Sequence, residues 1–179
     1  MPSGYETDAT VVFASLPGST AFSANQTPTA VATALNAHFR ELGDAVLAHD
    51  GQIIKFVGDA LLATFLPLSE HTHHTVRAVR ALFAAQSSEA RPFTAGVHSG
   101  TVYLGPIGHP RHMATDVIGY NVNLALRTLQ EAGGQAGSIV ITEETYTHCQ
   151  QAIECQDLGT YPVKGGPTPV RLYQVQQLR

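Results

Sequence analysis

The sequence predicts an α+β domain with a ferredoxin-like βαββαβ core, a mostly antiparallel sheet with helices on one face, and C-terminal additions. Three observations predict it. Strand-like and helix-like segments alternate from end to end of the 179 residues. Short glycine-bearing connections join neighbouring strand runs, which makes hairpins and therefore antiparallel pairing. Hydrophobic residues at 44% against 13% charged supply a buried core and exclude a disordered chain. No repeat, low-complexity tract or linker interrupts the pattern, so residues 1–179 read as a single domain.

Each element has its own local warrant. Thr10 to Ala14 is an apolar run that reads as a buried strand, followed by a Pro/Gly/Ser loop from Ser15 to Ser19. Thr27-Pro28 is a cap residue followed by proline at the first helical position. Val31, Leu35, Phe39, Leu42 and Val46 then lie on one helical face, and Asp50-Gly51 ends that helix. Gln52 to Val57 and Ala60 to Phe65 are strands joined by Gly58-Asp59 in a tight hairpin. Val76, Val79, Leu82 and Phe83 mark a second helix. Phe93 to His98 and Thr101 to Leu104 flank Ser99-Gly100, which reads as a second hairpin. Thr115 to Ile118 is extended, and a helix from about Asn121 to Ala132 ends at Gly133-Gly134. Ser138 to Thr142 is a strand, Glu143 to Cys149 a short helix, and two closing strands surround Lys164-Gly165-Gly166.

Charge and targeting signals narrow the function classes. The net charge of −4 and an aromatic content of 7% argue against a nucleic-acid-binding domain, which wants a basic face and stacking aromatics. The start, Met1 to Glu6, has neither a basic nor an apolar stretch, and the best apolar run, Ala60 to Leu66, is interrupted by Thr64, so no membrane contact is expected. The nine residues before the predicted first strand leave no sensor, coiled coil or anchor to expect there. Cys149 and Cys155 read as free thiols of a cytoplasmic protein, a bridge between them being the other reading. Of ten cationic residues only Lys55 and Lys164 are lysines, which asks what those positions need that a guanidinium fork does not supply.

Three segments carry candidate chemistry. The strand-to-loop passage Phe13 to Thr20 bears glycine and hydroxyls and suits backbone contacts to phosphate. In Lys55-Phe56-Val57-Gly58-Asp59 a carboxylate sits at a hairpin tip, where it can face a cation. In Asp116 to Arg127, Asn123 and Arg127 share one face near a helix N-terminus, an arrangement that suits a phosphate bearing developing charge. Taken singly, the first reads as an ordinary loop and the second as a self-satisfied turn with a solvated lysine, and the third has an exposed polar pair as its other reading. His71, His73 and His74 fit no usual zinc spacing and read as a polar surface segment, and His98 reads as structural.

Together the segments resemble the class III nucleotide cyclases, the adenylate and guanylate cyclase catalytic domains, from Val11 to Val175. The likeness runs through Gly51 to Ala60, Gly96-Val97-His98-Ser99-Gly100, Val117-Ile118-Gly119 to Arg127, and Val163-Lys164-Gly165-Gly166 to Tyr173. It implies that a ribose 3′-hydroxyl attacks its own α-phosphate, releasing pyrophosphate and a cyclic nucleotide, with two Mg²⁺ or Mn²⁺ ions. It also implies that Asp59 is one of two metal-binding aspartates and that Lys55 and Asp116 read the base, with a pattern that favours ATP. Asn123 and Arg127 match the ribose-orienting and transition-state residues. Lys164 matches a lysine on the β- and γ-phosphates, and Arg111 lies near a further phosphate-binding arginine. Gly18 to Thr20 matches a phosphate-cradling loop. A head-to-tail homodimer, with the site at its interface, is the implied assembly.

One departure stands out. The other metal-binding aspartate is replaced by Ser15, a neutral ligand, which leaves one carboxylate for two cations. Asp8 is no substitute, since seven strand residues span roughly 23 Å. Ser19, where the family frequently has phenylalanine, reads as a minor change. Ser15 divides two expectations: a cyclase with a weakened metal site, or a catalytically silent, dimerising, nucleotide-binding regulatory module.

Overall fold

The computed structural model describes residues 3–68, 73–88, 92–132, 136–163 and 166–179. In chain order its elements are β1 (Tyr5–Ser15), α1 (Ser19–Ala24), α2 (Pro28–Ala48), β2 (Gln52–Val57), β3 (Ala60–Phe65), α3 (His74–Ser88), β4 (Thr94–His109), β5 (His112–Ile118), α4 (Tyr120–Glu131), β6 (Ile139–Thr142), α5 (Glu143–Cys149), β7 (Ile153–Tyr161) and β8 (Val170–Leu178). The strands form one eight-stranded sheet in the order β2-β3-β1-β4-β6-β8-β7, with β5 paired to β4. The first four positions are the ferredoxin-like core. β6 joins β4 in parallel, and the other pairings are antiparallel.

Alternation along β1 divides the core. Val12 and Ala14 face a cluster with Leu42 and Val46 of α2 and Val79 and Leu82 of α3. Ala9, Val11 and Phe13 face the other way, onto Val122 and Ala125 of α4. The expectation of helices on one face therefore fails for α4, which covers the opposite face. Gly96 makes this possible: a Cβ there would lie 2.1 Å from the backbone nitrogen of Leu129, so α4 rests directly on β4.

The long helix α2 follows its local signals. Thr27 Oγ1 accepts from Ala30 N at 3.2 Å, with Pro28 at the first helical position. The β2–β3 hairpin also stands where expected, with Gly58 at φ +62°, a left-handed value that favours glycine.

The expected hairpin at Ser99-Gly100 is absent. β4 runs unbroken through it, pairing Ser99 with Thr10 and Gly100 with Ala9. Both residues answer tertiary needs. Ser99 Oγ bonds Thr10 Oγ1 at 2.9 Å and Thr145 Oγ1 at 3.1 Å in the buried interior. Gly100 leaves room for Asn121, whose amide nitrogen would lie 2.5 Å from a Cβ. The true hairpin is β4–β5, turning at Pro110-Arg111 between paired His109 and His112. The Ser15–Ser19 loop is also shorter than expected, because β1 extends to Ser15 and α1 begins at Ser19.

His74 is no surface residue: its Nδ1 lies 2.7 Å from buried Thr10 Oγ1. His73 stacks between His74 and His148 of α5, joining α3 to α5. Burial, with the nearby His73, Arg77 and His148, pushes the His74 imidazole down to about 4. His71 lies outside the described residues, and among those described no group of three or more His, Cys, Asp or Glu side chains could hold a metal ion. His98 fits its structural reading, placed between Thr142 Oγ1 at 2.8 Å and Asn121 Oδ1 at 3.0 Å. Cys149 and Cys155 are free thiols, pushed up to about 12 and about 11 by burial, which makes them poor nucleophiles.

Candidate active site

The chemistry-bearing residues fall into two groups. The first is a corner where β1 ends beside the β2–β3 turn. Antiparallel pairing sets Ser15 opposite Ala60, so the strand end arrives next to Asp59. Gly18, at φ +76°, turns the chain into α1 and puts Ser19 at its first residue. Ser19 Oγ donates to Asp59 Oδ2 at 2.5 Å, a short charge-assisted bond. Gly18, Ser19, Thr20, Gly58 and Asp59 rim a cavity of about 550 Å³ whose floor is apolar, with Leu16, Phe22, Val31 and Leu35. Ser15 is half-buried and does not line it.

The resemblance implies divalent ions at this corner. The Asp59 carboxylate and the Ser15 hydroxyl are hard oxygen ligands, and with waters they fit one Mg²⁺ or Mn²⁺. They do not fit a pair of ions that both need a carboxylate. Asp8 gives no relief: it lies far back on β1, where its Oδ1 accepts from Thr101 Oγ1 at 2.7 Å.

The second group lies on the α4 face. Lys55 reaches it through a bulge in β2. Ile53 pairs with Ala63 but Lys55 pairs with Leu62, so Ile54 is one residue extra. A regular ladder would set Lys55 opposite Leu61, which belongs to the α2/α3 core; the bulge puts it with Leu62, which belongs to the α4 core. There Lys55 Nζ donates to Asp116 Oδ2 at 2.5 Å, while Val117 N donates to Asp116 Oδ1 at 2.8 Å. The lysine is 44% exposed and the aspartate 16%, so the pair is open to a ligand from outside.

β5 leads through Gly119 into α4. Val122, Ala125 and Thr128 are buried there, while Asn123 and Arg127 are exposed one turn apart. Asn123 and Arg127 line a cavity of about 330 Å³ with Tyr120, Gln130 and Val163, and Arg127 Nη1 donates to Gln130 Oε1 at 2.8 Å. Lys164 lies outside the described residues; its neighbour Val163 borders this cavity. Arg111 is exposed in the β4–β5 turn and lines neither cavity.

Sequence reasoning thus named the members of both groups but passed over the Ser19–Asp59 contact. Its one available signal was a hydroxyl four residues past the end of a strand.

A family model described as the adenylate and guanylate cyclase catalytic domain matches residues 2–177. Adenylate cyclase 1 of Rhizobium meliloti is 26% identical over 94% of the chain, which spans 27% of that protein; the chain covers only about a quarter to a third of the curated relatives it matches. Among solved structures, the adenylyl cyclase CyaB of P. aeruginosa is 30% identical, with a TM-score of 0.88 over 99% of this chain and 98% of the other. The catalytic core of a rhodopsin-guanylyl cyclase with converted specificity, solved with ATPαS, is 25% identical, with a TM-score of 0.86 over 100% of both chains. On this match across nearly its whole length, the chain belongs to the family of adenylate and guanylate cyclase catalytic domains.

Proposed function

We propose that this chain, as one domain over residues 1–179, converts a nucleoside triphosphate, ATP by preference, into the 3′,5′-cyclic nucleotide and pyrophosphate. In this reading two copies associate head to tail. One protomer contributes the Ser15–Asp59 corner to a site whose base- and ribose-facing groups come from its partner. Exposed Ile118 and Tyr120, close in sequence to Asp116 and Asn123, supply apolar contacts for such an association. Free Cys149 and Cys155 accord with a cytoplasmic location.

The observation that carries the reading is the Lys55–Asp116 pair at 2.5 Å, on the sheet face covered by α4, the helix that carries exposed Asn123 and Arg127. An ammonium donates and a carboxylate accepts, which complements an adenine edge with its ring-nitrogen acceptor and amine donor. Guanine presents the opposite pattern there. Asn123 orients the ribose, so that its 3′-oxygen bonds to the α-phosphorus as the bond from that phosphorus to the α,β-bridging oxygen breaks, pyrophosphate leaves and the hydroxyl proton passes to water. Arg127 holds the charge that develops on the α-phosphate, with five fixed N–H donors. Lys164 and the Gly18–Thr20 backbone hold the remaining phosphates, with Arg111 a further candidate. Asp59 and Ser15 are the residues to hold Mg²⁺ or Mn²⁺, which when bound acidifies the hydroxyl and neutralises the triphosphate.

Ser15 favours a second reading, a silent domain that dimerises and binds nucleotide for regulation. A product assay with ATP, GTP, CTP and UTP, in Mn²⁺ and in Mg²⁺, alongside Ser15→Asp, separates the two. Cyclic product from the native chain supports the enzyme. None from the native chain with strong activity in the variant supports the silent module. Absence of nucleotide binding in both chains defeats the site assignment.

A further inference from the structure

Ser19 is the first residue of α1 and lies forty positions from Asp59 in the sequence. Its hydroxyl is not used to cap a helix: Gly18 is the N-cap of α1, with no side-chain cap. The backbone around it is held, since Phe22 N donates to Gly18 O at 3.0 Å and Ser19 N to Leu16 O at 3.4 Å. From this anchored turn the hydroxyl crosses to the β2–β3 turn and donates to Asp59 Oδ2 at 2.5 Å.

We propose that Ser19 is a positioning residue for Asp59, fixing its carboxylate as the single charged ligand of a divalent cation. The inference rests on the cyclase reading, in which Asp59 meets that cation. A carboxylate on a two-residue turn has free side-chain torsions, and ordering them on binding costs free energy. A hydroxyl already bonded to Oδ2 removes part of that cost. It occupies one lone pair and leaves Oδ1 and the second lone pair of Oδ2 for the cation. Outer partners of this kind orient a ligand, and their loss typically lowers metal affinity about 10- to 100-fold. The need is greatest here because Ser15 brings no charge. A phenylalanine at position 19 could not make the bond.

The test is a Mn²⁺ titration read as the free-ion electron paramagnetic resonance signal. It uses the full chain with a non-cyclisable ATP analogue lacking the 3′-hydroxyl. Native protein is compared with Ser19→Ala and Ser19→Thr, and analogue affinity is measured separately without metal. Ser19→Ala should weaken Mn²⁺ binding about tenfold or more while metal-free analogue binding holds, and Ser19→Thr, which keeps the donor, should restore it. Unchanged or tighter Mn²⁺ binding in Ser19→Ala overturns the proposal. So does an equal loss of metal and analogue binding in Ser19→Ala, which marks a purely structural role, or weak Mn²⁺ binding in a folded Ser19→Thr. If the native chain binds the analogue but no Mn²⁺, the positioning role falls while the nucleotide site stands; if it binds neither, the cyclase reading falls with it.

Discussion

The corner around Asp59 and the face around Lys55 and Arg127 differ in what they offer a ligand. On the α4 face Lys55 bonds Asp116, and Asn123 and Arg127 stand exposed one turn apart on a helix packed against β4. At the corner the polar side chains are one carboxylate, Asp59, and the hydroxyls of Ser15 and Ser19, the latter bonded to the carboxylate. Base and ribose recognition depends on hydrogen-bond pattern, so it tolerates no missing member. A cation site depends on total charge and oxygen count, so it degrades by degrees. A chain can lose affinity at the corner and still hold a nucleotide on the other face.

That contrast breaks most sharply at Arg127. Its replacement by alanine should cut cyclic-nucleotide formation about 10²- to 10³-fold while nucleotide affinity changes little, measured as a split between kcat and KM. An equal effect on both would make Arg127 a ground-state contact. Restoring charge at the corner comes next: Ser15→Asp should raise turnover about 10²-fold and shift the metal optimum from Mn²⁺ toward Mg²⁺. A variant no faster than the native chain would show that the corner was not limiting.

Acidification tests the scaffold that both regions share. The buried His74 stays neutral to about 4, whereas in the unfolded chain it takes up a proton near 6.5. The unfolded state therefore binds more protons across that window, and stability falls as the pH drops through it. By pH 5 the loss should be about 1–2 kcal/mol after allowance for partial solvent screening, seen as a lower urea midpoint. His74→Asn should flatten that dependence. The smallest effect is at the base. Lys55→Arg should change the ATP-to-GTP preference about tenfold, because a guanidinium fork fits a single ring nitrogen poorly. Lys164→Arg should be milder, since either cation holds a phosphate. An unchanged preference in Lys55→Arg would reduce the scarcity of lysine to composition alone.

How far the molecule could be read in advance follows the range of the forces involved. The start of α2 was legible because Thr27 and Pro28 act within one turn. The β2–β3 hairpin was legible because Gly58 accepts a positive φ that most residues avoid. Ser99-Gly100 misled because serine and glycine are good turn formers. Here the serine bonds Thr10 and Thr145 and the glycine makes way for Asn121, so tertiary contacts outweighed local preference. The histidine segment misled in the same way, since stacking against His148 and a bond to Thr10 draw it inward.

By itself, the sequence determined the residue types at the site, the period of each element and the order of the ferredoxin-like core, because these rest on neighbours within a few positions. The tertiary structure decided which groups meet. A single extra residue at Ile54 carries Lys55 from the α2/α3 face to the face of Asp116, since side chains alternate with a period of two. The antiparallel register of β1 and β3 brings Ser15 beside Ala60, and Ser19 closes on Asp59 from forty positions away. Contacts of that range depend on register and on the packing of the whole sheet, which no local pattern encodes.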